Sequence, residues 1–135
     1  MTFTVAITTY NRPDTLAKLV DQVLMCKPIP EKILVVDSSD QMNEDMMEIP
    51  LVGYLHSSHK NQPYQRYLAF LVCTTDVIVF LDDDLEVLDY SVFDIIIDRL
   101  ITQQAEGVSV GFEHHNSIQN RSEERRVGKE CRSRW

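Results

Sequence analysis

The sequence predicts an α/β protein in which helices cover both faces of a mostly parallel sheet. Short apolar stretches rich in β-branched residues alternate with longer segments whose apolar residues recur every three or four positions. The first predicted strand, helix and second strand also follow one another within roughly 35 residues. That spacing is typical of a βαβ unit, whose two strands are parallel.

The first predicted strand is FTVAITT, residues 3–9. A helix should begin at NRPD, because Pro13 suits a first helical position and the charge of Asp14 suits a helix N-terminus. Its apolar residues fall on one face: Leu16, Leu19, Val20, Val23 and Leu24. Pro28 and Pro30 end this helix, since neither can continue it.

The middle of the chain predicts two further strands and a second helix. KILVVD, residues 32–37, is the second strand, and residues 38–50 indicate only a loop or a weak helix. LVGYLHS, residues 51–57, favours a short third strand, and VIVFL, residues 77–81, is the fourth. The helix between them begins at Pro63. One side of it carries Tyr67, Leu68, Leu71 and Val72.

A third helix is predicted from about Asp89 to Gln104, closed by Gly107. VSVGF, residues 108–112, should form a fifth strand. The residues expected to face inward from the helix are Val92, Phe93, Ile96, Ile97, Leu100 and Ile101.

Composition sets broad limits on the class of protein. The 135 residues, 44% of them hydrophobic, are enough for one core, and the net charge of −8 disfavours nucleic acid and anionic lipid as partners. No apolar stretch is long enough to span a membrane and the N-terminus lacks a signal segment, so we expect a cytoplasmic protein. Cys26, Cys73 and Cys131 are odd in number and lack metal-type spacing, which predicts reduced thiols, two of them buried in helices.

The last fifteen residues, RSEERRVGKECRSRW, differ from the rest. They carry +3, so the first 120 residues carry −11. A basic disordered arm is one interpretation. The other, which we favour, is that residues 121–135 are the in-frame translation of a sequencing adapter. We therefore predict one incomplete domain over residues 1–120, truncated at its C-terminal side, and a disordered, non-native tail over residues 121–135.

Polar residues follow three of the predicted strands. The first strand ends in TTYN, the second in DSSD and the fourth in DDD. In a parallel sheet these ends lie along one rim, where α/β proteins bind ligands. This convergence favours a ligand site over a solvated acidic turn. Vicinal carboxylates suit Mg²⁺ or Mn²⁺, and the Gly-rich phosphate motifs GxGxxG and GxxxxGK[ST] are absent from the sequence.

Four segments together resemble a known family. ITTYNRPDTL, ILVVDSSD, PYQRYLAF and VIVFLDDDLEV, in this order, are similar to the N-terminal half of a family 2 glycosyltransferase of the GT-A fold. The resemblance covers residues 3–112. It implies a Rossmann-like, mostly parallel sheet that binds a nucleotide-diphospho-sugar donor.

The resemblance also implies roles for particular residues. The end of the first strand would cup the nucleobase, with Thr8, Thr9, Tyr10, Asn11 and Arg12.

The aspartate closing the second strand, Asp37, would contact the base. Ser38 stands where the family often has a second acidic or amide residue, which leaves the base open among uracil, thymine and guanine. Of the family's ARN-like triplet, QRY retains Arg66, a diphosphate-binding or loop-anchoring residue, but has Tyr67 in place of Asn.

The DxD motif corresponds to Asp82 and Asp84, with Asp83 between them at the donor site. Asp82 would contact the ribose, and Asp82 and Asp84 would hold the metal, Mn²⁺ or Mg²⁺.

The activity implied is inverting, metal-dependent transfer of the sugar to an acceptor hydroxyl, on a saccharide or lipid-linked acceptor. The base lies downstream in this family, so no catalytic residue is assigned here. We do not assign it to Glu113, His114 or His115. A peripheral membrane position of the full-length protein stays open. Two alternatives stay open as well. One is a module that binds nucleotide or cation without turnover. The other is a sugar-phosphate nucleotidyltransferase-like enzyme, although TTYNRPD lacks the glycine of that class.

Overall fold

A computed structural model describes residues 1–109 of the chain. They belong to two compact units, and the chain passes from the first to the second after Tyr90. The elements of the first unit are β1 (Phe3–Thr9), α1 (Pro13–Met25), β2 (Lys32–Asp37), α2 (Glu44–Met47), β3 (Val52–His56), α3 (Gln62–Val72) and β4 (Val77–Asp82). The first four predicted strands are therefore present, and the short helix α2 lies within the segment predicted as loop or weak helix.

The four strands form one parallel sheet in the order β3-β2-β1-β4. β1 lies in the middle, paired with β2 on one side and β4 on the other. This arrangement confirms the predicted parallel α/β sheet. It follows from the sequence because β1 and β2 are almost entirely apolar and β-branched, the composition of strands buried on both faces.

Both faces of the central strands are buried. Ala6, Leu34 and Val36 pack with Ala69 of α3 on one face, and partly buried residues of β3, α3 and β4 pack around them. The alternate residues of the same strands are fully buried as well, as are four residues of α1. These buried α1 residues are Leu16, Leu19, Val20 and Val23, the face that the sequence predicted.

The ends of α1 also agree with the sequence. Pro13 is the first residue of the helix and Asp14 lies in its first turn. Cys26 follows the helix and is buried, and this burial raises the pKa of its thiol, with Asp89 adding to the shift. Cys73 follows α3 in the same way but is only partly buried, so the predicted burial is confirmed for Cys26 and wrong for Cys73, and both cysteines cap helices rather than lie inside them. Both are free thiols.

The predicted apolar side of α3 was wrong. Tyr67 and Leu71 are 55% and 57% exposed, Val72 is exposed too, and Leu68 alone of the four reaches the core. The buried residues of the helix are Gln65 and Ala69. Ala69 brings the helix close to the sheet, and the Gln65 amide finds backbone acceptors there, so this narrow face packs better than the aromatic one.

The second unit is described over residues 91–109 and contains α4 (Val92–Thr102). This helix is shorter than predicted at both ends. Phe93 is buried as expected, but Ile101 is 55% exposed, which corrects its predicted inward position. At about 100° per residue Ile101 lies well round the helix from Phe93, at the edge of the apolar face.

Several predictions concern residues outside the described part of the chain. Val108 and Ser109 have no regular secondary structure, and the rest of the predicted fifth strand lies beyond residue 109. Glu113, His114, His115, Cys131 and the tail over residues 121–135 also lie outside the described residues, as does the predicted domain boundary at residue 120.

Candidate functional site

The polar strand ends meet at one rim of the sheet. Thr9 of β1 is paired with Asp37 of β2, and Thr8 is paired with Asp82 of β4. The loop from β1 to α1 begins here, which places Asn11 at the same rim. The structure thus brings together the three strand ends that the sequence marked as polar.

Asp37 is 2% exposed and fully engaged on one of its two oxygens. Its Oδ1 accepts from the Ser39 backbone N–H at 2.8 Å and from the Ser39 hydroxyl, and its Oδ2 accepts from the Tyr54 hydroxyl. The Tyr54 oxygen in turn accepts from the Asn43 N–H at 2.8 Å. Burial, together with the bond to Asp37, raises the pKa of Tyr54 to about 12, so its hydroxyl stays a donor at neutral pH.

Asn11 joins the loop after β1 to the loop after β2. Its backbone N–H donates to the Ser39 hydroxyl oxygen at 2.6 Å. Its side-chain amide donates to the Asp40 carboxylate, and its amide oxygen accepts from the Asp40 N–H, both at 3.1 Å. Asn11 has a φ of 51°, in the left-handed region that Asn tolerates better than most residues. The residue type therefore suits both the turn and the reciprocal pair.

An open cleft of about 910 Å³ lies beside these loops. It is lined by the ends of β1 and β2 and by the loops that follow these strands. Its lining residues include Thr9, Asn11, Asp37, Ser39, Asp40 and Asn43. Its lining residues carry carboxylates, amides and hydroxyls, so the cleft offers donors and acceptors for a polar ring.

The three aspartates after the fourth strand have three different environments. Asp83 is 8% exposed and accepts from the Thr9 hydroxyl at 2.9 Å and from Arg12 Nη1 at 3.2 Å. The side chain of Asp84 is 63% exposed, and its Oδ2 lies 3.8 Å from the same Arg12 nitrogen. The buried and the exposed carboxylate therefore share one guanidinium.

Asp82 has its own cationic partner. Its Oδ1 accepts from Arg66 Nη2 at 3.1 Å and from Gln62 Nε2 at 2.8 Å. Arg12 and Arg66 together offset the repulsion among three consecutive carboxylates. The acidic run is stable at the end of an apolar strand because one member is buried on Thr9 and the other two face arginines and solvent.

Thr8 and Tyr10 complete the predicted set. The Thr8 hydroxyl accepts from Gln62 Nε2 at 3.4 Å, which links it to the Asp82 cluster. The ammonium of Lys60 lies 3.8 Å from the centroid of the Tyr10 ring, within cation–π range. Every residue predicted for the donor site thus lies at this rim, and their roles toward a ligand stay predictions.

Comparison with known families identifies the chain. The family model described as glycosyl transferase family 2 matches residues 4–132. The chain belongs to glycosyl transferase family 2. The resemblance predicted from the sequence is therefore confirmed.

Solved structures show the same fold for this family 2 chain. A crystal structure of S. aureus TarS, residues 1–349, has a TM-score of 0.70 and 15% identity over 86% of this chain and 37% of that one. The same protein in complex with UDP gives 0.69 and 16% over the same shares. A longer TarS structure gives 0.68 and 16%, with 22% of that chain covered. These matches establish the GT-A type of α/β fold over a part of the longer proteins. Comparison with curated protein sequences gives no match.

The family 2 rim has oxygen donors that suit a hard cation. The side chains of Asp82 and Asp84 are partly exposed, and carboxylate oxygens are the ligands that Mg²⁺ and Mn²⁺ prefer. Within residues 1–109, no group of three or more His, Cys, Asp or Glu side chains is arranged to hold a metal ion. A cation bound by two carboxylates would take its other ligands from water and from substrate phosphates, which fits these ions.

Three residues of the site were not predicted from the sequence. Ser39 and Tyr54 hold Asp37, and the buried Gln65 amide donates to the backbone carbonyls of Thr9 at 3.2 Å and Val36 at 2.9 Å. Gln65 thereby ties the ends of β1 and β2 together under the rim. A glutamine in a helix otherwise rich in apolar residues was the one available signal.

No helix in the described part of the chain is long and apolar enough to span a membrane.

Proposed function

We propose that this chain binds a nucleotide-diphospho-sugar at the rim and forms the donor-binding part of a glycosyltransferase. One observation carries the proposal. A cleft of about 910 Å³ and a set of partly exposed carboxylates lie at neighbouring strand ends, in a chain of glycosyl transferase family 2. The UDP complex of TarS, which shares the fold, supports a nucleoside diphosphate as the ligand class.

The two halves of the rim suggest where the donor lies. The nucleobase would occupy the cleft that Asp37 and Asn11 line, with Tyr10 next to Asn11 in the chain, and the ribose would reach Asp82. Arg66 and Arg12 face the acidic run and would turn toward the diphosphate when it binds, since a diphosphate is a stronger anion than either aspartate. Asp82 and Asp84 would hold Mn²⁺ or Mg²⁺, which would neutralise charge on the diphosphate as it leaves.

The reaction we propose is displacement at the anomeric carbon with inversion. An acceptor hydroxyl forms the new bond to that carbon, a carboxylate base takes the hydroxyl proton, and the bond to the diphosphate oxygen breaks. None of the described residues is assigned as the base. The chain spans 37% of the TarS 1–349 structure, so nucleotide binding without transfer is the second candidate for the chain alone.

Calorimetric titration of the 135-residue chain with UDP, dTDP and GDP, each with and without Mn²⁺, tests the proposal. We expect metal-dependent binding of at least one nucleotide and its loss in Asp84→Ala. The matched control is Asp21→Ala, which removes an exposed carboxylate from α1 about 12 Å along the helix from its first turn. A folded chain that binds none of the three, or that binds equally after Asp84→Ala, would contradict the donor site.

A further inference from the structure

The hydrogen bonds around Asp37 leave it a single acceptor position. A carboxylate has about four lone-pair positions, two on each oxygen. The Ser39 backbone N–H and hydroxyl take both positions on Oδ1, and the Tyr54 hydroxyl takes one on Oδ2. One position on Oδ2 stays available to a ligand in the cleft that Asp37 lines.

The direction of the Ser39 hydroxyl is fixed by its other partner. Its oxygen accepts from the Asn11 backbone N–H at 2.6 Å, and its one hydrogen points to Asp37, which as a carboxylate can only accept. The Ser39 hydroxyl is therefore held between the loop after β1 and the end of β2. Rotating the Ser39 hydroxyl hydrogen away from Oδ1 would be costly, because the buried Asp37 carboxylate would then lose one of its hydrogen-bond donors.

Because one acceptor position remains on Asp37, nucleobases that present one donor and those that present two should bind differently. Uracil and thymine present one imide N–H, whereas guanine presents two adjacent donors, N1–H and the 2-amino group, which a carboxylate satisfies only with both oxygens. We propose that the Ser39 hydroxyl, by occupying Oδ1 of Asp37, makes the site select a base with one imide N–H over guanine. This inference rests on the proposed function, because it assumes that the base of a nucleoside diphosphate enters the cleft.

The test compares the ratio of UDP to GDP affinity in the 135-residue chain and three variants, by calorimetry with Mn²⁺ present. The unmodified chain should bind UDP at least about tenfold more tightly than GDP, since guanine would keep one buried donor unpaired. Ser39→Ala frees a position on Oδ1, so the ratio should fall by about fivefold or more. Ser39→Thr keeps the hydroxyl and should keep the ratio.

Tyr54→Phe is the matched control, because it removes a hydrogen bond from the same carboxylate without freeing Oδ1. We expect it to weaken both nucleotides and to leave their ratio unchanged, as a purely structural effect would. A ligand-side control is UDP methylated at N3, which lacks the imide hydrogen and should bind the unmodified chain about tenfold more weakly than UDP.

The outcomes distinguish this inference from the proposed function. If UDP and GDP bind equally to the unmodified chain, or if Ser39→Ala and Tyr54→Phe change their ratio alike, the role of Ser39 is overturned while the donor site stands. If N3-methylated UDP binds as well as UDP, Asp37 does not read the imide hydrogen. If a folded chain binds no nucleotide, both proposals fall.

Discussion

Asp37 and the Asp82–Asp84 run lie at the ends of the two strands that flank β1, yet they are stabilised by opposite means. Asp37 is 2% exposed and is held by neutral donors from Ser39 and Tyr54. Asp82 and Asp84 are partly exposed and face guanidinium groups. Neutral donors fix the position of a buried carboxylate, whereas exposed ion pairs are weak and break at little cost.

The difference separates two tasks at one rim. The Asp37 network shapes the cleft, because Ser39 and Asn43 both line it and both connect to Asp37, one directly and one through Tyr54. In the donor site that we propose, the exposed carboxylates would exchange their arginine partners for a cation when the diphosphate binds. Asp83 combines both means, since it is buried and accepts from the Thr9 hydroxyl but also pairs with Arg12.

Removing Asp37 should have the largest effect on stability. Asp37→Ala leaves the Tyr54 hydroxyl and the Ser39 N–H without their buried acceptor, so the free energy of unfolding should fall by about 3 kcal/mol. Urea denaturation followed by circular dichroism measures it, with Asp21→Ala on the surface of α1 as the control. A loss below about 1 kcal/mol would mean that water replaces the network at no cost, and the contrast between the two regions would fail.

The sequence predicted the strands and the first helix because their signals are local. Runs of β-branched residues mark β1 and β2, and Pro13 with Asp14 marks the start of α1. The convergence of TTYN, DSSD and DDD could also be predicted, since a parallel sheet places all strand ends at one rim.

The Asp37 network could not be predicted, because it depends on strand register. Tyr54 reaches Asp37 only because β3 pairs with β2 so that Asp37 lies opposite His56, and nothing in LVGYLHS fixes that pairing. The prediction of the buried side of α3 was wrong for a related reason. Gln65 of α3 is buried because its amide donates to backbone carbonyls of β1 and β2, and hydrophobic periodicity carries no information about those acceptors.

Alkaline pH should weaken the Asp37 region by an intermediate amount. Tyr54 has a folded pKa of about 12, above its ordinary 10.0, so the folded chain holds this proton more tightly than the unfolded chain. The stabilisation is fully present below pH 10 and is lost as the pH rises from 10 to about 12.

The Tyr54→Phe variant lacks this hydrogen bond, which should contribute about 1 kcal/mol to the free energy of unfolding. The gap in unfolding free energy between the unmodified chain and this variant should therefore close across that pH range. Tyr64→Phe, at an exposed tyrosine of α3, serves as the control and should show no such convergence. A gap that stays constant up to pH 12 would show that Tyr54 ionises alike in both states.

Removing Asp84 should have the smallest effect on folding. Its side chain is 63% exposed and its nearest cation, Arg12, is 3.8 Å away, so Asp84→Ala should change the free energy of unfolding by less than about 0.5 kcal/mol. Asp83→Ala, one residue earlier, should cost about 1–2 kcal/mol because the buried Thr9 hydroxyl loses its acceptor. Urea denaturation of both variants makes the comparison within a single turn. Similar losses in the two would mean that Asp84 is part of the folded scaffold. In that case, a loss of nucleotide binding in Asp84→Ala would reflect damage to the folded rim. If instead the unfolding free energy of Asp84→Ala is unchanged, the same loss of binding indicates that Asp84 contacts the metal and diphosphate directly.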